Sequence, residues 1–336
     1  MSNRTAVSAE QNPYEVLQNR NFLFFLAGRF IASFGQQMVS VAVGWELYER
    51  THSALALGFV GLTQMIPMFA FTLPAGHVAD NHDRKKVILL MIAIMAAASF
   101  GLALSSWHQS PVGWMYFWLF VSGAARTFVW PTSAAWLPQL VPRRIFSRAV
   151  TWNTSAFHLS SVIGPAAGGG LIALANSAGI VYLLNAIASL VCVALFAFIR
   201  VQYKTGPREP LSLQSLSAGF KFVFANPVIL GIITLDMFAV LLGGAVSLLP
   251  IYAKDILHEG PSGLGILQAA LPVGSLVCAM IMAHIPPVKK AGRTLLYSVA
   301  GFGVATILFG VSRNFLFSFL MLFACGMTDN VSVVIR

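Results

Sequence analysis

The chain has 336 residues, of which 57% are hydrophobic and only 10% charged, and its mean hydropathy is +0.77. A soluble domain carries about a quarter charged residues to keep its surface wet, so these proportions exclude an ordinary soluble protein and leave lipid to cover the apolar excess. The net charge of +10 comes from Lys and Arg gathered in short clusters between long apolar runs; that pattern orients membrane spans, whereas a nucleic-acid-binding protein gathers its cations on one soluble face.

Residues 1–21 are polar and predict a cytoplasmic N-terminal segment. A helix crossing the hydrocarbon core of about 30 Å needs about 20 apolar residues, and ten runs qualify: 22–48, 54–75, 87–106, 112–138, 147–175, 178–200, 227–253, 262–284, 294–312 and 314–336. The first is too long for a secretory signal and has no small-residue cleavage site behind it, so it stays as a span. Residues 22–200 form a six-helix bundle, and 201–226, with Lys204, Gly206, Pro207, Arg208 and Pro210, read as a cytoplasmic linker. Residues 227–336 then supply the four helices of an incomplete second bundle.

Sixteen of the 21 Lys and Arg residues fall on one side of these spans; Arg50, Lys254 and Arg313 fall on the other, and Arg29 and Arg126 lie inside spans. The excess places the N-terminus and the linker in the cytoplasm. A shift of 205 sets Asn21 on Asn226, Gly58 on Gly263, Leu62 on Leu267, Pro67 on Pro272, and Arg84-Lys85 on Lys289-Lys290; a shift of 203 sets Ser122-Gly123 on Cys325-Gly326. Parallel repeats of this kind build transporter halves. The tenth span is then the counterpart of the fourth, and the sequence reads as C-terminally truncated before counterparts of the fifth and sixth.

Cys192, Cys278 and Cys325 lie far apart in apolar runs, without CxxC or Cys/His spacing, so neither a metal site nor a disulfide framework is expected. No GxxxxGK[ST] loop occurs, and the loops hold no Ser/His/Asp or paired-carboxylate arrangement. An enzyme, a bound cofactor and a nucleic-acid partner are not expected.

After the second span stands Gly76-His77-Val78-Ala79-Asp80-Asn81-His82-Asp83-Arg84-Lys85-Lys86. It resembles the cytoplasmic loop signature GxxxDxxGRR/K of the major facilitator superfamily, with Asp83 where the general pattern has Gly. The DxxDR form is similar to the branch that includes bacterial enterobactin exporters and macrolide-efflux proteins. The resemblance implies an all-α membrane fold of twelve helices in two halves, about ten of which this chain supplies. Gly76 is expected to allow close helix approach, and Asp80 to compensate a helix N-terminus or pair with Arg84, while Arg84 and Lys85 hold the loop cytoplasmic. In the fifth span, Gly164-Pro165-Ala166-Ala167-Gly168-Gly169 resembles the GPxxGG core of facilitator exporters, where small residues let backbones touch and Pro165 removes a helical hydrogen bond. Generic small-residue packing would read the same way.

A charge at bilayer depth costs at least about 2.5 kcal/mol on insertion scales. Counted at about 1.5 Å per residue, Arg29 and Arg126 lie about 10 Å from the cytoplasmic face, Asp329 about 8 Å and Asp236 about 15 Å. They occupy the first, fourth, seventh and tenth spans, which the resemblance implies line a central cavity. Arg29 and Arg126 are expected to present positive charge to substrate or acidic partners, and Asp236 and Asp329 to couple protons; permanent salt bridges or snorkelling are the alternatives. Glu46 pairs with Arg50 four residues on. His158 reads as a packing histidine, and Gln36, Gln37 and Gln64 as polar cavity lining. The function expected is proton-coupled efflux of a small amphiphile, siderophore or drug-like, across a bacterial inner membrane, by a chain acting as a monomer. A truncated non-transporting remnant and a membrane-embedded sensor or scaffold remain as alternatives.

Overall fold

The computed structural model describes residues 14–200, 247–282, 284 and 291–335, with positions 224, 225, 230, 231 and 234 between them. Among the described residues the chain is helical and has no strand. A 3-10 turn, Glu15–Gln18, leads into α1 Arg20–Thr51; then follow α2 Ala54–Asn81, α3 Arg84–Trp107, α4 Val112–Leu140, α5 Phe146–Ala175 and α6 Ala178–Ala197. The short α7 Leu249–Ile251 runs into a π turn, Tyr252–Ile256, and α8 Pro261–Met282, α9 Ala291–Val311 and α10 Phe315–Ile335 complete the chain. The expected linker and most of the expected seventh span, with Asp236, lie outside the described residues.

Among the described residues eight helices are long and apolar enough to cross a membrane: α1, α2, α3, α5, α6, α8, α9 and α10. α4 has 29 residues, but Arg126, Thr127, Pro131, Thr132 and Ser133 make it less apolar. The 32 residues of α1 span about 48 Å, more than the hydrocarbon core needs, so its ends stand clear of it.

The helix boundaries follow from local chemistry. Asn19 caps α1, its side chain accepting from the Asn21 and Phe22 amides at 3.0 and 3.2 Å while its own amide donates to the Leu140 carbonyl. Ser53, Asp83 and Ser177 cap α2, α3 and α6 in the same way. α1 and α5 end on His52 and Asn176, both in the left-handed conformation that closes helices. One expected boundary moves: the second span continues beyond residue 75 to Asn81, because nothing between Gly76 and Asn81 breaks a helix.

α1 lies against α5 and α6, α3 against α4 and α6, α2 against α4, α8 against α5 and α10, and α9 against α10. The repeat is visible in this packing. Gly123 on α4 meets the Gln64 backbone and Pro67 on α2, and its counterpart Gly326 on α10 meets the Leu271 backbone on α8. Two apolar layers form. One, around Phe22, Phe25, Ile88, Trp136 and Phe196, sits toward the end that carries the Arg-rich loops, with Phe25 and Phe196 stacked at 5.4 Å and Trp136 edge-on to both. The other, around Met38, Leu47, Leu102, Leu119, Tyr182 and Leu264, sits toward the opposite end. Along α1 the first layer reaches Ala32 and the second begins at Phe34. Large apolar side chains on α2, such as Phe59, Met65 and Phe69, stay exposed, as lipid contact allows.

Candidate functional site

The signature after the second span is mostly helix, so its residues act differently from the expectation. Gly76 and Asp80 lie in the last turns of α2. A methyl group added at Gly76 would meet nothing within 4 Å, so Gly76 makes no close helix approach among the described residues. Asp80 is exposed, and no ion pair joins it to Arg84. Arg84 instead donates from Nε to the Ala79 carbonyl and from a terminal nitrogen to the Ala135 carbonyl, both at 3.0 Å. Free carbonyls at helix ends attract cations strongly, and Ala79 is one of the last four of α2, while Ala135 lies in the last two turns of α4. Lys85 does the same for α6, its Nζ donating to the carbonyls of Ala197 and Ile199 at 2.8 Å. Asp83, the departure from the general pattern, caps α3 by accepting from the Lys85 amide at 3.0 Å.

The α5 glycines face two neighbours. A Cβ on Gly164 would lie 2.6 Å from Gln37 Cβ, and one on Gly168 would lie 2.8 Å from Met38 Cα, so both seat α5 directly on α1. Gly169 looks the other way and packs backbone to backbone against Gly265 and the Pro261 carbonyl of α8; the Pro165 carbonyl meets Gly265 too. α5 stays helical through Pro165. Ser160 and Ser161 add polar ties to α1, through the Phe30 carbonyl and the Gln37 amide at 2.7 Å.

A cavity of about 650 Å³ is lined by Val39, Val43, Leu57, Leu102 and Leu119 of the second apolar layer and by Gln36, Gln37 and Ser40 of α1, Gln64 of α2, Ser99 of α3, Ser122 and Arg126 of α4, Ser247 and Pro250, Gln268 of α8, Phe302 of α9 and Asp329 of α10. Gln36, Gln37 and Arg126 also border a smaller chamber of about 120 Å³, which adds Arg29, Ser33, Trp130, Phe157, Ser189 and Cys192. Arg29 therefore lines the smaller chamber, Asp329 and Gln64 the larger cavity, and Gln36, Gln37 and Arg126 form a wall common to both. Among the described residues neither Arg29 nor Arg126 has an ion pair or side-chain hydrogen bond, so neither forms a permanent bridge there. Asp236 lies outside the described residues, and His158 stands edge-on to Phe157, away from both cavities.

At the end opposite the Arg-rich loops, α1 meets the π turn. The Tyr48 hydroxyl donates to Asp255, Lys254 pairs with Glu49 at 2.7 Å, and the Lys254 ammonium stands 6.0 Å from the Trp45 ring. Glu46 and Arg50 form the expected pair at 2.5 Å, and Arg50 also donates to the carbonyls of Ser105, Ser106 and Ser110 at the end of α3.

The profile of the transmembrane secretion effector family, a major facilitator family, matches residues 11–330. The chain belongs to that family. This transmembrane secretion effector is 27% identical over 320 residues to the enterobactin exporter EntS of Shigella flexneri, an alignment covering 93% of this chain and 74% of that protein. It is equally similar over 315 residues to EntS of Citrobacter koseri, with the same coverage. In fold it matches a bacterial homologue of the human lysosomal transporter Spinster, in an inward-facing and occupied conformation, with a TM-score of 0.71 at 14% identity over 94% of this chain and 73% of that one. A D-xylose–proton symporter gives 0.65 at 12% identity over 94% and 80%. The secretion effector is thus a multi-pass major facilitator transporter and not an enzyme, with bacterial exporters as relatives.

Sequence reasoning missed two features of this transporter. Gln268 and the ring of serines line the cavity unannounced, although the shift of 205 sets Gln268 on Thr63, beside Gln64. The contacts at the far end also went unread. Glu49 and Lys254 are separated by the repeat offset of 205, and opposite charges at equivalent positions were the available signal.

Proposed function

We propose that this secretion effector is a proton-coupled exporter that moves a small amphiphile, siderophore or drug-like, out across a bacterial inner membrane by alternating access. The N-terminus and the linker 201–226 lie in the cytoplasm, the bundles 22–200 and 227–336 rock against each other, and the chain works as a monomer. The observation that carries this reading is the 650 Å³ cavity, where Arg126 and Asp329 stand among amides, hydroxyls and apolar side chains. Its size and mixed lining suit a drug-sized ligand, and its position between helices is where transporters of this class bind. Two further observations support it: relatives that export enterobactin, and α1–π turn and α5–α8 contacts that close the end away from the Arg-rich loops. In this scheme Arg29 and Arg126 hold the substrate, Asp236 and Asp329 carry protons, and the Gly76–Lys85 turn and the Gly164–Gly169 segment govern the motion.

The test uses proteoliposomes with an imposed pH gradient and enterobactin as the probe. The protein accumulates enterobactin against its gradient, and Asp236→Asn with Asp329→Asn abolishes the dependence on pH while leaving downhill exchange. Accumulation that ignores the pH gradient, or that survives both substitutions, refutes proton coupling.

A further inference from the structure

Resting on the reading of the central cavity as a substrate site, we propose that the smaller chamber is a separate subsite for an aromatic anion, an aryl carboxylate or a comparably delocalised aromatic acid, carried as one end of a larger molecule. Four observations lead there. Arg29 and Arg126 both line the chamber, and among the described residues no acidic side chain does. Neither guanidinium has an ion pair or hydrogen bond among the described residues, and Arg29 feels the charge of Arg126. Two cations that make no ion pair among the described residues are costly to hold inside a membrane protein, and a visiting anion offsets that cost. The remaining walls join the polar Ser33, Gln36, Gln37 and Ser189 to a larger apolar and aromatic surface that includes Ile92 and Met95 of α3, Trp130 of α4 and Phe157 of α5.

The chemistry of that lining selects the ligand. A guanidinium fork binds a carboxylate through two parallel hydrogen bonds, and low-polarity walls strengthen them. Trp130 and Phe157 offer ring faces and edges to a flat partner. At about 120 Å³ the chamber is smaller than a drug-sized ligand needs, so it takes a single group. Gln36, Gln37 and Arg126 border both spaces, which lets the same molecule place its polar, hydrogen-bonding body in the larger one.

Three small probes separate charge from shape: benzoate, benzamide and cyclohexanecarboxylate, each titrated into the detergent-purified protein by calorimetry. Benzoate binds about tenfold more tightly than benzamide, since a charge-assisted pair is roughly twice as strong as a neutral one, and more tightly than cyclohexanecarboxylate. Arg29→Gln and Arg126→Gln, checked for folding by gel filtration, each bring benzoate down to the benzamide level. If either glutamine variant does not fold, Arg29→Lys or Arg126→Lys keeps the charge, loses the fork and gives an intermediate loss. Equal binding of benzoate and benzamide overturns the anion subsite, as does benzoate affinity unchanged in folded variants. Equal binding of cyclohexanecarboxylate overturns its aromatic character. The measurement is at equilibrium and without a gradient, so failure of transport or of proton coupling leaves these outcomes readable.

Discussion

Two glycines two residues apart on α5 give a controlled test of how α1 and α5 are held together. A methyl group on Gly168 would lie 2.8 Å from Met38 Cα and 2.9 Å from Met38 O, whereas ordinary van der Waals contact begins at 3.4 Å. The obstacle is backbone, so no rotamer change relieves it and α1 must move away from α5 by several tenths of an ångström. Overpacking of this kind costs about 1–3 kcal/mol, while replacing a helical glycine by alanine returns about 0.8–1.0 kcal/mol. Gly168→Ala is therefore destabilising by about 0–2 kcal/mol on balance. At Gly170 the added methyl meets nothing within 4 Å, so Gly170→Ala keeps only the gain and stabilises by about 1 kcal/mol. The two variants differ by the steric penalty alone, about 1–3 kcal/mol, measured by equilibrium unfolding in mixed micelles. Equal stability of the pair, within about 0.5 kcal/mol, would refute direct backbone seating of α5 on α1.

Two further outcomes follow from the end opposite the Arg-rich loops. Arg50→Gln strands the Glu46 carboxylate, which is only 7% exposed, and uncaps the end of α3; breaking a buried pair from one side costs about 3–5 kcal/mol, and the double variant Glu46→Gln with Arg50→Met recovers most of that loss in the same unfolding assay. Lys254→Met breaks a half-exposed pair and changes stability by less than about 1 kcal/mol, yet it raises labelling of Ser40→Cys by an impermeant maleimide from that side. Labelling that stays constant would mean that the α1 contact with the π turn does not close the cavity.

Much of the fold was legible because crossing a bilayer demands long apolar runs, and nothing in the local sequence can imitate twenty such residues. Where a span ends was less legible, since the polar residues after Gly76 are compatible with helix and α2 simply continues to Asn81. The candidate site was legible in the sequence as a set of depths but not as a set of partners. Arg29, Arg126, Asp329 and the glutamines stood out because charge and amide are expensive in lipid, and the structure sets them on the walls of two adjoining cavities. What a side chain points at was not readable. Arg84 had a carboxylate four residues before it and took two carbonyls instead, because the end of a helix offers an acceptor field that an exposed, solvated Asp80 does not match.

The internal repeat explains why certain distant residues meet. A chain folded as two similar halves brings equivalent positions together wherever they lie close to the axis relating the halves, and two identical charges there would repel. Glu49 and Lys254 are equivalent under the shift of 205 and carry opposite charges, and their contact joins α1 to the π turn. Arg126 and Asp329 are equivalent under the shift of 203, again opposite in charge, and both line the cavity. Charge inversion between the halves thus turns a position of built-in repulsion into one of attraction. At the edge of the protein it yields an ion pair near a kcal/mol in strength, weak enough to part repeatedly. At the cavity it gives a chemically two-sided wall, with a guanidinium from one half and a carboxylate from the other, which a symmetric duplicate could not have provided.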